Sequence, residues 1–134
     1  MSSDNGTMTV VMTGVIVIVA VVSTAVAALG MLYAARAQAT NAADAAALAA
    51  AVATYPPIGR SDPRGAAEDA AGANGAAVLG CVCSVDSSLG PRTVQVVTAI
   101  RVTVPIFGEV TVRGASRAEF DPMRWLGLRA FSTA

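Results

Sequence analysis

The chain has 134 residues, nine Lys+Arg, nine Asp+Glu, no His and a net charge of zero; 54% of it is hydrophobic and 13% charged. All nine cations are arginine, so there is no basic surplus to neutralise nucleic-acid phosphates. Without His or Lys there is no His-based triad, no His-ligated zinc site and no Schiff-base lysine, and the chain is too apolar to be disordered throughout.

Residues 1–7 are a short N-terminal segment. From Asn5 to Ala35 no residue is charged. The core of that run, Met8–Tyr33, reads MTVVMTGVIVIVAVVSTAVAALGMLY. About 20 apolar residues in a helix cross the ~30 Å hydrocarbon of a bilayer, so 8–33 reads as a transmembrane helix. The β-branched run Val15–Val19 would favour a strand in water, but in lipid only a helix satisfies its own backbone within one segment. Ala25-Val26-Ala27 imitates a signal-peptidase site, yet the basic region that precedes such sites is missing and the apolar run is too long. Arg36, the first charge beyond the span, would by itself put the C-terminal part in the cytoplasm; one arginine decides little.

The helical pattern continues through Ala34–Thr54, AARAQATNAADAAALAAAVAT, without Gly or Pro. Tyr55-Pro56-Pro57 is the first strong stop. One helix is therefore expected over 8–54, roughly 70 Å long. Ala35, Ala39, Ala42, Ala46 and Ala50, continued by Ala53, form a small-residue stripe that lets another helix approach closely. Asn41 and Asp44 are its polar neighbours, facing water or bonding an adjacent subunit. Leu48, Val52 and Tyr55 form a larger stripe on which a sheet is expected to dock.

Residues 55–75 read as a linker with a short helix, Asp62 as its N-cap and Pro63 as its first residue. After Gly75 the period changes to two. The segments 77–85, 93–104 and 110–120 read as strands, the last two with even positions buried and odd positions wet. In 77–85, Leu79, Cys81, Cys83 and Val85 are expected on one side. The β domain spans 76–120, and three strands need a packing partner. The tail, 121–134, with Trp125, Leu126, Leu128 and Phe131, reads as weakly ordered. The fold class is thus α+β: a long N-terminal transmembrane helix extended beyond the membrane, then a small antiparallel sheet of about three strands.

Cys81 and Cys83 are the only cysteines. At ~3.3 Å rise per residue their Cα atoms would stand near the upper limit for a disulfide. Two readings stay open: free thiols on the core face, or a strained or intermolecular disulfide in an oxidising compartment. Two thiols without further ligands make a poor metal site. No paired carboxylates and no phosphate loop are visible, so no cofactor, nucleic acid or small-molecule substrate is expected. The sequon Asn5-Gly6-Thr7 lies directly before the span and reads as a chance match.

The string Ala34–Ala51, AARAQATNAADAAALAAA, directly after a span, resembles the TadE/TadG-like minor pilins and pseudopilins of tight-adherence, Flp-type pilus systems. AGANGAAVLGCVCSVD, followed by RVTVP and VTVRGASRAEF, is similar to the short actinobacterial TadE-like branch. The resemblance covers about residues 4–120. It implies a pilin-like architecture and a single-pass cell-membrane protein with its C-terminal domain outside the cytoplasm. Its partners would be membrane lipid and other pilin-like or Tad-system membrane proteins. Many members of the wider pilin group carry a cleavage glycine and a glutamate at the fifth mature position. Were Gly6 that glycine, Val11 would be fifth, and the span contains no Glu. This fits a permanently anchored accessory component better than a bulk fibre subunit. The competing reading is a single-span envelope protein whose β domain binds another protein or ligand, unrelated to pili. The missing His and Lys argue against an enzyme.

Overall fold

The structure, a computed structural model, describes residues 4–58 and 61–128. Expectations for residues 1–3, for Gly59 and Arg60 of the linker, and for 129–134, Phe131 included, lie outside these residues.

Helix α1 runs Asp4–Ala53, 50 residues and about 75 Å. Its threonines fold their hydroxyls back on the helix: Thr13 donates to the Thr9 carbonyl and Thr24 to the Ala20 carbonyl, each at 2.8 Å. Both hydroxyls are thereby paired along an apolar surface. The helix stops where the prolines require. Thr54 is buried and donates its hydroxyl to the Ala51 carbonyl at 2.6 Å, while the Thr54 carbonyl receives the Asp86 N–H at 2.9 Å.

Helix α2, Pro63–Ala73, starts as its residues dictate: Oδ1 of Asp62 accepts the Gly65 N–H at 2.9 Å and Pro63 takes the first turn. Pro63, Ala67 and Ala71 make its buried face, a narrow alanine stripe set against α1. Nε2 of Gln38 on α1 donates to the Asn74 carbonyl at 3.1 Å and ties the far end of α2 down.

Strands β1 (Ala77–Val82), β2 (Arg92–Val104) and β3 (Gly108–Phe120) form one antiparallel sheet in the order β1-β2-β3. The β2–β3 ladder is unbroken from Arg92↔Phe120 to Val104↔Gly108. Val94, Val96, Thr98, Ile100 and Val104 of β2 and Gly114, Ala118 and Phe120 of β3 are buried, as the period-two pattern requires. The outer face carries Gln95, Arg101, Arg113, Arg117 and Glu119.

Strand β1 departs from its expected phase. Leu79 and Val85 are exposed, whereas Val78, Cys81 and Cys83 pack against the core. The pairing register shifts between Val78 and Gly80. A bulge of this kind exchanges the two faces of a strand, so the inward positions are even before it and odd after it. The strand ends at Val82 rather than Val85. In the tail, residues 121–128 include a short helix, α3 (Pro122–Trp125), with Asp121 as its N-cap accepting the Met123 and Arg124 N–H groups. This corrects the expectation of a weakly ordered segment there, and Asp121-Pro122 repeats the Asp62-Pro63 signal that opens α2.

Candidate assembly surface

The alanine stripe expected to meet another helix is covered by the chain itself. Ala35, Ala39, Ala42, Ala46, Ala50 and Ala53 are all buried. Ala39, Ala42, Ala46 and Ala50 belong to one core with Ala67 and Ala71 of α2 and Val94, Val96, Ile100, Ala118 and Phe120 of the sheet. The expected sheet-docking stripe is correspondingly wrong in two of its three members: Leu48 is 63% and Val52 39% exposed, and only Tyr55 is buried.

The physical reason is distance. A Cβ built on Gly114 would stand 2.2 Å from the Ala39 carbonyl oxygen, so β3 lies directly on the α1 backbone. Thr98, paired with Gly114 in the ladder, is fully buried and donates its hydroxyl to the same Ala39 carbonyl at 2.8 Å. Backbone contact of this kind excludes leucine and admits alanine and glycine.

What α1 leaves uncovered is the opposite ridge. Asn41, Asp44, Leu48 and Val52 are exposed, and their three- and four-residue spacing puts them on one side of the helix. Toward the N-terminus the cover disappears altogether. Every residue from Gly6 to Ala27 is exposed, and among the described residues Ala28 is the first buried position. The helix Gly6–Ala53 is long and apolar enough to cross a membrane.

A clamp at the other end of the domain was missed by sequence reasoning. Arg92, the first residue of β2, donates from its guanidinium to the carbonyls of Asp86 and Ser88, to that of Gly90 at 3.2 Å, and to that of Thr54 at 3.4 Å. The same guanidinium lies over the Tyr55 ring, 5.6 Å from its centroid. It joins the end of α1 to the Asp86–Gly90 loop. Asp86 accepts the Ser88 N–H and hydroxyl, each at 2.8 Å. Those two bonds, with Arg92 nearby, hold its carboxyl below the ordinary 3.8. An arginine opening a strand after a DSSLGP turn was the only available signal, and it does not specify carbonyl partners.

Cys81 and Cys83 are joined in a disulfide with Cα atoms 5.4 Å apart. The pair is closer than two strand residues would be because Cys83 lies past the end of β1, where the full ~3.3 Å rise no longer holds. Among the described residues no group of three or more His, Cys, Asp or Glu is placed to hold a metal ion.

Residues 6–53 match the model of the Tad family, described as Flp pilus-assembly TadE/G-like. No curated protein matches the chain, and no solved structure does.

Proposed function

We propose, from the premise that this is a TadE/G-like, Tad pilus-associated membrane protein, that the chain is an anchored, non-enzymatic assembly component of a Tad/Flp-type pilus or related secretion apparatus. One observation carries the reading: α1, the matched helix, keeps a bare apolar span below and an uncovered ridge above, while its other face is occupied by the chain's own sheet and α2. The ridge Asn41-Asp44-Leu48-Val52 continues the span without a break in the helix. Neighbouring membrane subunits pack along it, with Asn41 and Asp44 supplying directional contacts in place of the alanine stripe that is used internally.

The C-terminal domain lies outside the cytoplasm in this reading. The Cys81–Cys83 disulfide supports that side, since such bonds persist in oxidising compartments. The test is co-purification of Tad-system membrane proteins with the full chain from native membranes. Asp44→Arg and Leu48→Arg, both on the exposed ridge, abolish co-purification while the disulfide and protease resistance of the domain remain. Unchanged co-purification would overturn the ridge as the assembly surface.

A further inference from the structure

We propose that the β2–β3 hairpin tip is a second membrane contact, with Ile106 and Phe107 seated in the outer leaflet beside the span. The proposal rests on the reading of α1 as a membrane-crossing helix.

Among the described residues outside α1, the tip is the most openly apolar place. Ile106 is 86% and Phe107 74% exposed. Ile106 also holds φ at +75°, a left-handed backbone that a β-branched residue adopts only at a cost. A water-facing turn would favour Gly or Asn at that position.

Two spacings place the tip at membrane depth. Thr98 and Gly114 sit on Ala39. From there to Val104↔Gly108 the ladder runs six residues, about 20 Å; the same descent along α1 is about 13 residues, and the turn lies beyond it. Consistent with this, Pro105, Ile106 and Phe107 face the α1 surface from Ala20 to Ala28 across a cleft of about 340 Å³. That stretch of α1 is within the uncharged run, and below it the helix is bare.

Charge marks the same boundary. The last charged pair on the hairpin is Arg101–Glu109, 3.7 Å apart, and no residue from Val102 to Gly108 is charged. With hydrocarbon over about residues 6–25, a length near 30 Å, Arg101 and Glu109 stay in the headgroup region and only the apolar tip enters. A span ending at Tyr33 would pull both charges into lipid, which is costly. The tip thus sets how far the domain stands above the bilayer, and the open cleft beside it is filled by an acyl chain.

The test uses the full chain in phosphatidylcholine vesicles whose acyl chains carry bromine, a tryptophan quencher. Trp125→Phe removes the native reporter; Ile106→Trp and Phe107→Trp report the tip, and Val17→Trp reports the span. The expected result is loss of fluorescence for both tip reporters as well as for Val17→Trp. Quenching of Val17→Trp alone overturns the tip contact and leaves the span intact. Blue-shifted but unquenched tip emission assigns the tip to a protein neighbour, which also overturns it. Failure to quench Val17→Trp overturns the span and the tip together.

Discussion

The two halves of α1 are one unbroken helix with opposite side-chain policies. From Gly6 to Ala27 it carries valine, isoleucine and methionine, and all of it is exposed. From Ala28 to Ala53 it is mostly alanine, and one side is buried under the sheet and α2. The difference follows from what surrounds each half. Lipid wets large apolar side chains at no penalty and gives no drive to bury them against protein. Above the membrane a sheet is drawn in by the hydrophobic effect, and alanine lets it reach the helix backbone. Large residues in the upper half, Leu48 among them, are therefore left on the outer ridge rather than in the core.

Breaking this contrast is most effective at the point of closest approach. Gly114→Val places atoms where the Ala39 carbonyl already stands. It should cost more than about 3 kcal/mol, at the upper end of overpacking or beyond, measured as a lost or sharply lowered urea midpoint for the domain of the micelle-held full chain. Ala39→Leu and Ala46→Leu should each cost about 1–3 kcal/mol by the same mechanism. Val17→Leu, in the bare half, should leave the midpoint unchanged. Equal effects in both halves would abolish the distinction. Arg92→Ala tests whether the far end of the helix is held as firmly as its middle. Loss of the carbonyl contacts and of the Tyr55 stack should cost about 1–3 kcal/mol, with proteolysis appearing first in the Asp86–Gly90 loop.

Smaller effects sharpen the picture at the periphery. Asp62→Ala removes the α2 cap and should cost about 1 kcal/mol, read by the same midpoint with α2 exchange rising locally. The smallest concerns acid. Asp86 is held below its ordinary 3.8 in the folded chain, so its contribution is present above that value and fades as the pH falls through the lower folded one. Asp86→Asn should flatten the dependence of loop protection on pH below 3.8 and leave neutral behaviour of the remaining chain alone, as hydrogen exchange at Ser88 would show.

Much of this arrangement was legible in the chain. The uncharged run, the proline stop at Tyr55-Pro56-Pro57 and the Asp62-Pro63 cap are local signals, and each element formed where its own residues dictate. The alternation in β2 and β3 named their buried faces, because a strand's period does not depend on its partner. What a second element decides is not legible in the first. The bulge after Val78 reversed the phase of β1, and no residue type announces a bulge. Leu48 and Val52 stay exposed because side-chain size does not mark the core face here. In this helix the core face is the smallest one.

The sequence alone determined that there is a bare apolar span, a continuous alanine helix above it and three strands to follow, since length, hydropathy and period are local properties. Only the tertiary structure decided which face of that helix is spent internally, because the choice depends on how near Gly114 and Thr98 bring the sheet to Ala39. That approach covers the alanines, leaves Asn41, Asp44, Leu48 and Val52 as the exposed ridge, and carries the hairpin tip down beside α1.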